Sequence, residues 1–579
     1  MSLSLHHLRY KIAAAAVIKG AVRRTSRVPG ARGLVAQAAD RLRPGGEATG
    51  SYRGLAAGLL KDALGEDTGG EALAYDAVAG LVPAGAADSV PDVEHLRAQA
   101  EEDPSAGVLI ALAAALRKSY VADFEASAEA YERAFEANPA DLRAVEGALV
   151  SGARSHYDWP RIWAIAGVLK PRKGALGAGP RPAGLRKRLS RFLPQGLGSS
   201  GIGARFWDTM GALFTPDPEP VFVERAVELL EEQAEHIPSL NQLLIETLAV
   251  RLQLLGRFRT GARLRESMAR NRIRELHGIP VESALWLKHL LGAYAFLDDD
   301  RLHRTAARPP LDLLGPQALR QTEKLRADVS FWDGEVKPLQ AHAADRAEES
   351  RAWGITMPGE HAMENLVAGK RIAVVGPAAG EADCGELIDS YDVVVRTNLR
   401  RPVPQEHHSR TGSRTDLSYY AALDLMRHWD DVGRLAAEGH LLLAVTRPHL
   451  LPVVQPVPEW LRVARFEFGL YFRGAPLGIQ RILYDLLQFA PAEIGLFHAD
   501  FYAGTRTAAS GYRDDALRFG PHSQANDPVV MHDLGFEFRL VQRLVRAGHV
   551  QPYGSAAEVL ALGTQEYLAR LEDRGAFLR

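Results

Sequence analysis

The sequence predicts a fold of two classes: a helical part over residues 51–340 and an α/β part over 341–579, behind a basic helical segment at 1–50. From about 50 to 340, Ala, Leu, Glu and Arg dominate and apolar residues recur at three- and four-residue spacing, as in helices with one buried face. After Arg371, short β-branched runs bounded by Gly and Pro alternate with helical stretches, the pattern of a mainly parallel sheet. Between the first two of those runs, 372–375 and 393–395, lies Gly376-Pro377-Ala378-Ala379-Gly380. The chain there reads strand, small-residue turn, acidic helix, strand, which is a βαβ unit. Glycine in such a turn lets backbone N–H groups approach a phosphate, or serves close packing alone. Neither G-x-G-x-x-G nor G-x-x-x-x-G-K-[ST] is present, so no dinucleotide fingerprint and no P-loop is read.

Composition narrows the function. At 579 residues the chain is too long for one core, and two to four domains are expected. Basic residues number 69 and acidic 71, a net charge of −2, which gives no electrostatic case for nucleic acid as a partner. Cys384 is the single cysteine, so no intramolecular disulfide forms, in keeping with a reducing compartment. No apolar run reaches membrane-spanning length, and a cytoplasmic location is expected, with peripheral contact at the inner membrane face as its extension.

In order along the chain, Arg9, Lys11, Lys19, Arg23 and Arg24 flank a short Ala-rich run in the 1–50 segment. This suits an ordinary first helix with a basic face, or a helix lying on an anionic membrane. In the 51–340 region two stretches are similar to tetratricopeptide repeats. In 124–139, Ala130, Ala134 and the stop Asn138-Pro139 sit where the repeat has small residues and a terminator. In 243–264, Leu255-Gly256-Arg257-Phe258 and Ala262 match the turn and the start of a second helix. Between them, 171–203 is a Gly/Pro-rich loop carrying seven basic residues from Arg172 to Arg191, a flexible linker or a contact for an anionic polymer or lipid. Asp298-Asp299-Asp300 reads as a helix end rather than a metal site, and 305–370 reads as a connection with some helix. In the α/β part the expected strands are 372–375, 393–395, 417–420, 440–446, 462–468 and 493–501. The expected helices are 423–438, 478–489, 536–547 and 556–573.

The motif order then becomes specific. Val374-Val375-Gly376 precedes Ile388-Asp389-Ser390-Tyr391-Asp392-Val393-Val394-Val395-Arg396-Thr397-Asn398, and Gly412-Ser413-Arg414-Thr415 follows. This resembles the large sialyl motif of the eukaryotic-type sialyltransferases, glycosyltransferase family 29. The segment 474–502, with Ala475-Pro476-Leu477-Gly478, a helix and a strand, is similar to the family's small motif. His532 and Glu537 match its very small motif, His-x4-Glu. The resemblance spans about 370–555 and leaves 1–340 untouched.

The resemblance implies a GT-A-like, Rossmann-type α/β domain that takes a CMP-activated sugar acid, sialic acid or a related Kdo or Kdn. The sugar acid would pass with inversion, and without a metal or other cofactor, to a hydroxyl of a glycan or lipid-linked glycan acceptor. His532 would be the catalytic base and Glu537 the carboxylate beside it. Gly376, Pro377, Ala378 and Ala379 would form the phosphate-side turn, and Thr397 and Asn398 would meet the CMP part. Gly478 would begin a helix facing the donor's carboxylate. His522, roughly where the family places a further histidine, is a donor-phosphate or acceptor candidate. Pro377 stands where the family has asparagine, and the hydroxyls it carries before Gly478 are absent here. The paired cysteines of the animal enzymes are missing as well, with Ile372 at the first position, as in a bacterial-type relative. The chemistry suits the residues: an acceptor hydroxyl must lose its proton as it attacks, and neutral imidazole takes one near pH 7. The alternative expectation is a scaffold whose helices bind a protein partner and whose α/β domain is a non-catalytic transferase fold.

Overall fold

The computed structural model describes residues 92–574 apart from 119–120, 122, 140, 156–157, 168–203, 234–241, 277–283, 309–315, 353–358, 379–381, 452, 455 and 505–531. The basic segment 1–50, the loop 171–203, Ala379 and His522 lie outside the described residues.

The first half is helical and its helices pack as sequential neighbours, beginning with Val93–Glu102, Ala106–Leu116, Phe124–Ala137 and Leu142–Ser155. Asp92, Asp123 and Asp158 cap helix starts, each carboxylate accepting an N–H three residues on. Ala128, Ala130 and Ala134 are buried on the Phe124–Ala137 helix. Its neighbour comes so close that a Cβ on Gly147 would fall 2.2 Å from the Tyr131 ring. The expected turn at 255–257 is present: Gln242–Leu254 ends, Gly256 takes φ +75°, and Phe258–Leu276 begins.

The stretch 305–370 differs from expectation. It carries the long helices Pro316–Trp332 and Lys337–Ala352, then Glu360–Val367. Pro316 opens the first of these, where its missing N–H costs nothing, and Gly334 at φ +85° turns the chain into the second. Proline and glycine here punctuate helices rather than mark a linker.

Among the described residues the second half holds one seven-stranded sheet, all parallel, in the order β5-β4-β3-β2-β1-β6-β7. The strands are β1 Arg371–Val375, β2 Val393–Thr397, β3 Leu417–Tyr419, β4 Leu443–Thr446, β5 Leu461–Val463, β6 Glu493–Phe497 and β7 Gln551–Pro552. Six fall on expected runs, but β3, β4, β5 and β6 are shorter, and β5 overlaps its run only at 462–463. Beyond β6 the backbone enters the left-handed region at His498, Phe501 and Tyr502, which no strand tolerates. β7 was not expected; it is two residues at an edge, where Pro552 is tolerated. The expected helix 423–438 is broken at His428 into Ala422–Arg427 and Trp429–Ala437, and 556–573 breaks into Ser555–Leu560 and Thr564–Arg574.

The helices and the sheet share one hydrophobic core, which runs from Ala100 to Leu571. Trp332 stacks on Phe536 with ring centroids 4.6 Å apart, and Phe331 meets Tyr484 edge-on at 4.9 Å. No described helix is long and apolar enough to cross a membrane.

Candidate active site

The residues that carry the resemblance to the large motif hold the backbone in place. Asp389 accepts from Ser413 N at 2.8 Å, from Ser413 Oγ at 2.9 Å and from Arg414 N at 3.2 Å. Burial works against its charge, but the Ser413 and Arg414 bonds outweigh it and hold the carboxyl below the usual range. Gly412 sits at φ +73°, and a Cβ there would fall 2.5 Å from Asp389 Oδ1. Arg396, on β2, is buried and donates to the carbonyls of Thr411, Gly412 and Arg414 and to Thr415 Oγ1. Arg414 in turn donates to the carbonyls of Asp389, Tyr391 and Asp392. Asp389, Arg396 and 412–415 thus tie the loop before β3 onto the helix and strand before it.

The turn after β1 is closed by β6. Gly376 N donates to Phe497 O at 2.8 Å and Ala378 N to His498 O at 2.9 Å, while Pro377 has no N–H. A Cβ on Gly376 would fall 2.4 Å from His498 O. Close backbone approach therefore explains this glycine, and the N–H groups of 376 and 378 are engaged by the chain.

One strand over, the three segments that carry the resemblance converge. At the end of β2, Asn398 takes φ +50°, donates its N–H to Tyr419 O at 2.9 Å, and accepts from Ala421 N through Oδ1 at 3.2 Å. The Gly478–Leu486 helix starts beside it: a Cβ on Gly478 would lie 3.5 Å from Thr397 Cγ2. Glu537, on the Leu534–Arg546 helix and 1% exposed, accepts from Leu477 N at 3.0 Å and Tyr471 Oη at 2.8 Å. Burial pushes its carboxyl well above the usual range, and those two bonds only partly oppose it. His532 Nδ1 lies 2.5 Å from Ala475 O and 3.9 Å from Glu537 Oε1. A carbonyl only accepts, so Nδ1 carries the proton and Nε2 is the basic nitrogen of the neutral ring. The 3.9 Å approach to a carboxyl held toward its neutral form is too long for a hydrogen bond and is no strong ion pair. Thr397, Asn398, Gly478, His532 and Glu537 are thus gathered at the carboxyl edge of the sheet; Gly376, Pro377 and Ala378 lie against β6.

Several residues here carry no motif signal. Asp485 accepts from Tyr419 Oη at 2.7 Å and from Arg462 at 2.6 Å. Arg447 pairs with Glu467 at 2.6 Å. Arg481, three residues after Gly478, is buried on the same helix. A cation between the apolar pairs of the helical run GIQRILYDL was the available signal for it.

The helical half reaches this edge. Arg265 is fully buried and bonds Glu246 at 2.9 Å, Gln253 at 2.8 Å and Asp533 at 3.3 Å. Asp533 adjoins His532 and caps the Leu534–Arg546 helix by accepting from Phe536 N at 2.9 Å. Asp298 accepts from Arg539 and Arg543 of that helix, and Asp299 is held by Arg301. The acidic run is a helix end, and its first two charges are taken by arginine. Among the described residues no group of three or more His, Cys, Asp or Glu is placed to hold a metal ion.

Comparisons with protein-family models, with curated proteins and with solved structures find no match.

Proposed function

We propose that the chain is a glycosyltransferase that moves a sugar acid from a CMP-linked donor to a glycan hydroxyl, with inversion and without a metal. What supports this most is one convergence: the end of β2, the start of the Gly478–Leu486 helix and the His532–Glu537 segment come from distant parts of the sequence and meet at one edge of the sheet. Ligands of open parallel sheets bind outside that edge. The acceptor oxygen would attack the anomeric carbon as CMP leaves, and Nε2 of His532 would take the acceptor's proton. Glu537 would act as a positioning group, holding the backbone at Leu477. On this reading the α/β half is sialyltransferase-like and of GT-A-like type. The helical half is tetratricopeptide-like, holding a protein partner, the acceptor or a membrane face. The enzyme would work in the cytoplasm on a cell-surface glycan or its lipid-linked precursor.

A specific observation favours the scaffold alternative: the N–H groups of Gly376 and Ala378 are engaged by β6 rather than open to a phosphate. Calorimetric titration with CMP, CDP, UDP and GDP, with and without EDTA, separates the two. Binding of CMP alone, unchanged by EDTA and weakened about tenfold or more in Asn398→Ala, is expected of the transferase. His532→Ala should keep CMP affinity and lose transfer from a CMP-linked sugar acid by about a hundredfold or more. No binding to any nucleotide would leave the scaffold.

A further inference from the structure

One turn into the Gly478–Leu486 helix lies a guanidinium that forms no ion pair among the described residues, Glu467 and Asp485 acting on it only from a distance. Arg481 is 8% exposed, and its Nε is buried with no hydrogen-bond partner among the described residues. The carboxylates near it are already taken. Glu467 is held by Arg447, and Asp485 by Arg462 and Tyr419. His449 is kept neutral, mainly by burial and then by Arg447, its pKa pulled down to about 4. Burial, reinforced by Arg447, lowers Arg481 itself to about 10, which still leaves it charged at neutral pH. The locality therefore holds two arginines against one unshared carboxylate.

Two more polar groups here lack partners among the described residues. Gln480 is 2% exposed, and neither its amide nitrogen nor its oxygen is bonded. Thr446, the last residue of β4, is 2% exposed with an unbonded hydroxyl. Buried polar groups are almost always satisfied, and a buried lone cation is the most costly of them. Gln480 and Arg481 open one helix, and Thr446 precedes Arg447, whose charge acts on Arg481; unsatisfied groups at the ligand edge of a parallel sheet suit a group from outside the chain.

We propose that Arg481, with the Gln480 amide and the Thr446 hydroxyl at the same edge, binds an anionic oxygen group of the substrate, a carboxylate or a phosphate. The identity of the molecule carrying that group rests on the transferase reading; the subsite does not. It would supply the charge complement that the absent hydroxyls before Gly478 and the closed turn after β1 do not.

The test uses the full chain and its Arg481→Gln and Arg481→Lys variants at constant ionic strength, titrated with CMP, free N-acetylneuraminic acid, inorganic phosphate and a neutral N-acetylhexosamine as control. Arg481→Gln should weaken anion binding about ten- to a hundredfold, with partial recovery in Arg481→Lys and no effect on the neutral sugar. Loss confined to the sugar acid assigns a carboxylate; loss of CMP and inorganic phosphate together assigns a phosphate. Without ligand, Arg481→Gln should melt no lower than the parent, because it removes an unpaired buried charge. If CMP and the sugar acid bind Arg481→Gln as tightly as the parent, the subsite is wrong and the transferase stands. If only inorganic phosphate binds, in an Arg481-dependent way, the subsite stands and the transferase is wrong. If no anion binds the parent chain or raises its melting temperature, the subsite is overturned.

Discussion

Glu537 shows how a residue singled out by a motif can owe its behaviour to surroundings the motif does not contain. The His-x4-Glu spacing put it beside His532. Its burial and its bonds to Tyr471 and Leu477 depend on residues sixty positions or more away. A carboxyl raised by burial favours the folded state below its unfolded pKa, and that contribution is lost as pH rises through the folded value. Glu537→Gln keeps the shape, accepts from Leu477 N and cannot ionise. Its melting temperature should match the parent in mild acid and exceed it progressively toward alkaline pH, as scanning calorimetry across pH 5–9 would read. A constant difference across that range would show that the folded carboxyl is already ionised at its acid end and is not raised. Asp389 and Gly412 teach the converse. Their spacing carried the resemblance, yet the bonds Asp389 accepts from Ser413 and the φ of Gly412 give each a reason to be there that needs no substrate.

At the scale of elements, alternation of apolar and helical runs was enough to locate the first six strands, because a strand buried on both faces is mostly apolar, Arg396 on β2 and Arg462 on β5 being buried with bonded partners. Strand length was less legible. His498 and the residues after it leave the strand through backbone angles that the apolar run 493–501 does not announce. The helices of 316–352 were hidden by Gly and Pro whose role is to start and turn them. Hidden most deeply was the fastening of the Leu534–Arg546 helix: Arg265 holds its cap at one end, and Asp298 holds Arg539 and Arg543 further along. Arg265→Met should lower stability by about 3 kcal/mol, since it strands the buried carboxylates of Glu246 and Asp533. Urea titration measures this directly. A loss under about 1 kcal/mol would mean that Arg473, also paired with Glu246, is sufficient by itself.

For the molecule as a whole, composition and periodicity told the two classes of structure apart but not that they share an interior. Trp332 on Phe536, Phe331 on Tyr484 and Asp328 bonded to Tyr484 and Gly469 join residues on either side of position 340. A chain beginning at residue 341 would leave these aromatic faces open. It should show no cooperative thermal transition and weak near-ultraviolet dichroism, whereas a sharp transition would make the α/β half autonomous.

The parallel pairing of β1 with β6 bears on how the molecule is made. Arg371 faces Glu493, 122 residues later. At a synthesis rate of about 5–20 residues per second, β1 waits on the order of ten seconds for that neighbour. Through that interval the nascent chain holds strands with an open apolar rim, beside helices already displaying the faces that will receive Tyr484 and Phe536. An interior strand of the finished sheet is thus the exposed margin of the unfinished one, and a ribosome-bound chaperone would find its work there rather than at either terminus.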